Sequence, residues 1–395
     1  MRCVAAALLL FSATALPALA DGVPLDLYIG GRVVTKVHED TSWHIFSQPD
    51  NETAYTYQWP GVYFTARFLG DSVDVKVDDD QDNLYLFIDG VHKLTLTRPG
   101  RTTVSLKDLG DGRHVVRLEK SSETQSSTGT FDGFYVPSSG DVLPAPVYGR
   151  RIEFIGDSYT VGYGNQSRGQ VCTVDDVRDT TDTSAAFAPA VAKSFNAAYR
   201  ILADSGHGIV RNYGGMDPGN TMPVLYNYTL FDKSVPADDA GWTPDVVVIG
   251  LGTNDFSTAL DSTDFNRNEK WATRDALRAD FVATYAAFVN SIRAKYPDAH
   301  IILMASTGYD GEILSAVTAV SDTLKAAGLA NFELLPFGGL DWMACDGHPS
   351  LKDEKILTRL LVDRISLLPK FAPVPMAGTP AAGAPAASGG APSGQ

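Results

Sequence analysis

Cysteine is scarce in this chain, with three among 395 residues. Cys3 falls inside an N-terminal leader, which leaves Cys172 and Cys345. Two cysteines so widely spaced do not make a zinc pattern, and no metal or other cofactor is expected. Basic residues are in deficit: 32 Lys and Arg stand against 47 Asp and Glu, a net charge of −15. That balance argues against nucleic acid and anionic membrane surfaces as partners and leaves neutral ones, such as carbohydrate, open. Past the leader no run of about 20 apolar residues exists, so no helix is expected to cross a membrane. Charged residues make up 20% of the chain and hydrophobic ones 44%, the balance of a globular protein rather than a disordered or fibrous one.

The leader is MRCVAAALLLFSATALPALA, residues 1–20, with Arg2, an apolar centre and a closing Ala18-Leu19-Ala20. It reads as a secretory signal peptide cut before Asp21, so the mature protein is expected to be secreted or periplasmic. In that oxidising setting Cys172 and Cys345 are expected to pair in one disulfide. The remaining length suits two domains.

From Asp21 to Val136 short strands alternate with turns. Val73, Val75 and Val77 interleave with Asp74 and Lys76, the period of two of a strand with one wet face. Turn signals recur at Leu69-Gly70-Asp71, Asp89-Gly90 and Gly110-Asp111-Gly112, and no helical period appears. A β-sandwich of jelly-roll type is expected over residues 21–136. The acidic run Asp78–Asn83 lacks the spacing of a calcium loop and reads as a solvated turn. A Pro-rich linker covers residues 137–149. Over residues 150–370 apolar strands alternate with helical stretches. Strands are expected at Arg151–Ile155, Tyr199–Ala203, Asp245–Leu251, His300–Ala305 and Asn331–Pro336. Helices are expected near Ser184–Ala197, Ala272–Ala294, Glu312–Ala327 and Leu351–Leu367. This grammar predicts an α/β/α layer structure on a five-stranded parallel sheet, with its ligand at the carboxyl ends of the strands. Residues 371–395, rich in Pro, Ala and Gly, read as a disordered tail.

Four motifs fall at that edge. RIEFIGDSYTVGYG, Arg151–Gly164, places Ser158 just past the first strand, where Gly156 allows a sharp bend and Asp157 can cap a helix start. Asp204-Ser205-Gly206-His207-Gly208 comes after the second strand, Gly252-Thr253-Asn254-Asp255 after the third, and Asp346-Gly347-His348-Pro349 before the last helix. Acyl transfer needs a nucleophile, a base and donors aimed at a developing oxyanion. Ser158 is the candidate nucleophile, His348 its base and Asp346 the group orienting the base. The N–H groups of Ser158 and Gly206 and the Asn254 amide are the candidate oxyanion donors. Each has a plainer reading alone: Ser158 as a helix cap, Gly206 as a turn, Asn254 as a loop brace. His207 and His300 read as structural.

The ordered set Gly156-Asp157-Ser158, Gly206 in its glycine block leading to Arg211-Asn212-Tyr213, Gly252-Thr253-Asn254-Asp255 and Asp346-Gly347-His348-Pro349 resembles the SGNH (GDSL-type) hydrolase superfamily. With a β-sandwich ahead of it, the chain resembles carbohydrate esterase family 2 over roughly Asp21 to Leu368. The resemblance implies a secreted acetyl xylan esterase: removal of O-acetyl groups from xylan or related plant polysaccharides, without metal or cofactor. The superfamily usually sets its aspartate three residues before the histidine, where this chain has Cys345. Some family relatives orient the base with a backbone carbonyl, so Asp346 and a carbonyl stand as alternatives. Relatives often carry an aromatic residue where this chain has Gly347. Tyr213, Tyr163 and Trp342 are the alternative stacking surfaces for a sugar. Two other readings stand beside this one, a lipase or thioesterase for longer acyl chains and a non-catalytic glycan-binding protein. Three N-glycosylation sequons occur, at Asn51, Asn165 and Asn227. A glycan on Asn165 would crowd Ser158, which favours a bacterial source.

Overall fold

The computed structural model describes residues 22–38, 52–260 and 270–372. The leader, Asn51 and most of the tail lie outside the described residues. Among those described, no helix is long and apolar enough to cross a membrane.

The period-two pattern does what it predicts: Val73, Val75 and Val77 are buried while Asp74 and Lys76 face outward. The first antiparallel sheet runs Val33–His38, Glu52–Tyr57, Gly129–Val136, Val73–Asp79, Gly100–Leu106, with Val23–Pro24 beside Gly129–Val136. The second runs Val142–Leu143, Tyr63–Leu69, Arg113–Lys120, Asn83–Ile88, Val91–Thr97, with Tyr28–Gly30 beside Tyr63–Leu69. Aromatic rings close the sandwich from both sides, Phe64 meeting Phe131 with centroids 4.3 Å apart.

Two expectations change here. The segment read as a linker is docked on the sandwich: Ser139–Asp141 form a 3₁₀ turn, and Val142–Leu143 add an edge strand to Tyr63–Leu69. Arg67 then donates to the Pro144 carbonyl at 2.8 Å. The acidic run is not simply a solvated turn either. Asp79 and Asp82 are buried, and each is matched by donors. Asp79 accepts from the Tyr57 hydroxyl at 2.7 Å. Asp82 accepts from Lys120, Ser122 and Thr124 at 2.7, 2.9 and 2.6 Å. Sequence pattern alone does not reveal this, because the donors lie 22 to 42 residues away.

The second domain holds a five-stranded parallel sheet in the order second, first, third, fourth, fifth: Ala198–Ala203, Arg151–Gly156, Val246–Gly250, His300–Ser306, Phe332–Phe337. The longer helices are Phe187–Ser194, Arg274–Lys295, Glu312–Ala326 and Leu351–Ile365. Thr273 caps the second of them at the Ala276 N–H, and Ser350 with Asp353 forms a capping box at the start of the last. His300 pairs with Glu333 on the neighbouring strand, a structural role.

The two domains meet through buried charge. Arg32 of the sandwich donates to the Tyr226 carbonyl at 2.6 Å and pairs with Asp239 at 2.8 Å. Arg200 and Lys295 converge on the same carboxylate. Despite its burial, Arg32 and Lys295 hold the Asp239 pKa down at about 2. A depressed carboxylate stabilises the fold above its unfolded pKa of about 4 and loses that contribution as pH falls through the folded value. We therefore predict that Asp239→Asn, which strands Arg32 and Arg200, lowers stability by about 3 kcal/mol or more at neutral pH in chemical denaturation. The difference from wild type should shrink as the pH approaches 2, where the native carboxylate is itself protonated.

Candidate active site

The strand register brings the predicted motifs together. Gly156 is paired with Ala203 on one side and Gly250 on the other, so the chain leaves all three strands at the same edge. Ser158 lies past one exit, Gly206 past the second and Asn254 past the third. Ser158 opens the four-residue helix Ser158–Val161, capped by the Asp157 carboxylate at the Tyr159 N–H, and as the first helical residue it has an N–H with no role in the helix ladder. Gly156 is required for space rather than for a bend: a Cβ there would lie 2.0 Å from Thr160 Oγ1. Gly206 has φ of 82°, the left-handed region that favours glycine.

His348 meets Ser158 from a loop distant in sequence. Its Nε2 lies 2.8 Å from Ser158 Oγ, across 190 residues of sequence, and its Nδ1 lies 2.9 Å from the Cys345 carbonyl oxygen. A carbonyl only accepts, so Nδ1 carries the proton and Nε2 is left as the acceptor for the Ser158 hydroxyl. Burial holds the His348 pKa below its ordinary value, against the smaller upward pull of the Cys345 carbonyl and the Asp346 charge. The imidazole is thus a free base at neutral pH.

Asp346 does not orient the base. It sits one residue past Cys345 in the 3₁₀ turn Cys345–Gly347 with φ of 53°, and its carboxylate accepts from the Tyr163 hydroxyl at 3.0 Å. The Nδ1 position it would need is already taken by the carbonyl beside it. Of the two alternatives open in the sequence, the carbonyl holds.

That carbonyl is fixed from several directions. Cys345 forms the expected disulfide with Cys172, with Cα atoms 5.5 Å apart. The Asp346 N–H donates to the Gln170 carbonyl at 2.8 Å, and Gln170 Nε2 donates to the Trp342 carbonyl at 2.8 Å. Asp353, the buried capping residue, accepts from the N–H groups of Asp341 and Trp342 at 2.9 and 3.0 Å. Asn165 is buried too, its amide bonded on both sides to the Asp182 backbone, so this sequon presents no free acceptor nitrogen.

On the opposite rim, Asn254 Nδ2 donates to the His207 carbonyl at 2.9 Å, which fixes the amide and leaves its second N–H available. Asp255, quoted in the motif without a role, accepts the N–H groups of Ile209, Val210 and Arg211 at 2.9, 2.8 and 2.9 Å. Burial nevertheless raises its pKa to about 6, and that of Asp157 to about 7. His207 bonds locally to the Ser205 carbonyl and Asp204. Of the proposed stacking surfaces, Tyr163 lies against His348 with ring centroids 4.3 Å apart. Tyr213 is 46% exposed, with its N–H on the Gly206 carbonyl at 2.8 Å. Trp342 packs on Tyr159 at 5.3 Å and is only partly exposed.

A carbohydrate esterase 2 N-terminal model matches residues 47–146, and a model of the GDSL-like lipase/acylhydrolase family matches residues 154–355. An acetylxylan esterase / glucomannan deacetylase of Cellvibrio japonicus is 44% identical over 342 residues, covering 87% of this chain and 91% of that protein. The chain is a family 2 carbohydrate esterase. A solved esterase structure, described as displaying divergent catalytic and non-catalytic binding functions, superposes on the enzyme with TM-score 0.79 and 42% identity over 88% of this chain and 98% of the other. A family 2 esterase from Clostridium thermocellum in complex with cellohexaose gives TM-score 0.69 and 29% identity over 86% of this chain and 98% of that one. The esterase is a carboxylic ester hydrolase.

The histidine geometry has two measurable consequences. Asp346→Asn should keep kcat within about tenfold of wild type in steady-state assays, whereas an aspartate that orients the base is worth about 10⁴. The acidic limb of the kcat/KM profile reports the free-enzyme base. Because the His348 pKa is lowered, that limb should have its midpoint below 6.5, with activity rising as pH increases through it.

Proposed function

We propose that the esterase removes O-acetyl groups from xylan or related plant polysaccharides outside the cell, through an acyl-enzyme on Ser158. The hydrogen bond from Ser158 to His348 Nε2, at 2.8 Å, carries the reading. Ser158 Oγ attacks the acetyl carbonyl carbon as its proton passes to Nε2. Negative charge develops on the carbonyl oxygen, in reach of the N–H groups of Ser158 and Gly206 and the free N–H of Asn254. The imidazolium that forms is held by the Cys345 carbonyl through Nδ1–H, in a dyad without a carboxylate partner. It then gives its proton to the departing sugar oxygen as the C–O bond breaks. Water, deprotonated by the same nitrogen, attacks the acetyl-serine; the acyl C–Oγ bond breaks as Nε2 returns the proton to Ser158 Oγ, and acetate leaves.

Several observations support the substrate class. The Cellvibrio japonicus relative is an acetylxylan esterase / glucomannan deacetylase. The Clostridium thermocellum structure holds cellohexaose. Tyr213 offers an exposed ring beside the Gly206 loop, and a net charge of −15 suits a neutral glycan. The leader at residues 1–20 supports export.

The test is acetate release from acetylated xylan and acetylated glucomannan, with 4-nitrophenyl esters of rising chain length alongside. Wild type should release acetate and prefer the acetyl ester, and Ser158→Ala should lose at least about 10³ in kcat. A preference for long-chain esters would give the lipase reading. Glycan binding without hydrolysis of any ester would give the binding-protein reading.

A further inference from the structure

We propose that Glu123, a sandwich residue, is a positioning residue for the oxyanion donor Gly206, so that the N-terminal domain supplies part of the catalytic geometry. The inference rests on the oxyanion role proposed for Gly206. Gly206 is flanked by groups that the sandwich holds directly. The Ser205 N–H donates to Glu123 Oε1 at 2.8 Å. Gln125 Nε2 donates to Asp204 Oδ1 and to the Ser205 carbonyl, both at 2.7 Å. Three polar contacts from one loop of the other domain thus fix the two residues just before Gly206. On the other side, the Tyr213 N–H takes the Gly206 carbonyl and Asn254 takes the His207 carbonyl.

The loop that does this is itself anchored. Ser122 and Thr124 flank Glu123 and donate to buried Asp82, as does Lys120. Gln58 donates to the Gln125 carbonyl at 2.9 Å, and the Ser121 carbonyl accepts from Thr183 of the catalytic domain at 2.7 Å. The buried acidic hairpin therefore has an outlet in the site: Asp82 fixes Ser122 and Thr124, these fix Glu123, and Glu123 fixes Ser205. Burial raises the pKa of Glu123, and burial joined by the charge of Glu123 raises that of Asp204 well above its ordinary value. Glutamine at position 123 keeps a carbonyl that can accept from the Ser205 N–H as Glu123 Oε1 does, whereas alanine leaves that N–H without it.

The experiment compares the full-length wild-type esterase with Glu123→Ala, Glu123→Gln, Gln125→Ala and Asn254→Ala on 4-nitrophenyl acetate, with thermal melts alongside. We expect Glu123→Ala to lower kcat about tenfold with KM within about twofold, a fraction of the loss from deleting a donor outright. Glu123→Gln should return kcat to within about twofold of wild type. Exposed Gln125 is the second variant should Glu123→Ala fold poorly, and Gln125→Ala should lower kcat several-fold without shifting KM. Unchanged kcat in both Glu123→Ala and Gln125→Ala overturns the proposal. So does a rise in KM alone, which makes Glu123 a sugar contact, or an equal loss in the Gln and Ala variants. Asn254→Ala reads the oxyanion site separately: a loss of kcat there with none in Glu123→Ala and Gln125→Ala overturns the positioning role alone, and wild-type kcat there removes Asn254 from the donors.

Discussion

The bond from His348 Nδ1–H to the Cys345 carbonyl, at 2.9 Å, sets the chemical state of the site. A backbone carbonyl carries a partial charge and cannot be protonated at working pH, so it fixes the tautomer more simply than a titratable side chain does. It also fixes where the ring lies, because a carbonyl cannot swing as a rotamer can. The demand passes to the loop. Cys345 must be immobile, and the structure meets this with the Cys172 disulfide, the Gln170 contact and the Asp353 carboxylate beneath residues 341–342. The nucleophile loop and the histidine loop are in effect one body, and the 2.8 Å contact between Ser158 and His348 is its product.

The rim at the strand ends uses buried acids as braces. Asp157, Asp204 and Asp255 each sit at or just past a strand end, accept hydrogen bonds from the loops there and have pKa values raised by burial. A raised folded-state pKa means that their stabilising contribution is lost as pH rises through that value, about 7 for Asp157 and about 6 for Asp255. Such groups are poor sources of stability at neutral pH but good sources of direction, since one carboxylate gathers several N–H groups into one geometry. Asp255 aligns three consecutive N–H groups in the loop that also carries the His207 carbonyl bonded by Asn254. The sandwich reaches the same rim through Glu123 and Gln125, which gives the second domain a reason to be fused rather than tethered.

Much of this was legible in the chain. The period of two at Val73–Val77 and the strand–helix alternation after Arg150 gave both layers, because burial imposes those periods locally. Ser158, His348, Gly206 and Asn254 were readable because each stands within four residues of a strand end or just before a helix cap. What escaped were relations across distance. Asp346 is the side chain that sequence offers as a partner for His348, yet its backbone turns it toward Tyr163. The Cys345 carbonyl has no side-chain signature at all. Asp82 looked like a solvated turn because Lys120, Ser122 and Thr124 come from another strand and the loop after it, and Glu123 carried no motif.

The proposed catalytic cycle turns on acylation of Ser158. Mixing enzyme with an acetyl ester, quenching during turnover and mapping peptides by mass spectrometry tests it most directly. One acetyl group is expected on the peptide containing Ser158, and none in Ser158→Ala. Steady acetate release with Ser158 unmodified, or an acetyl group on another side chain, would contradict it.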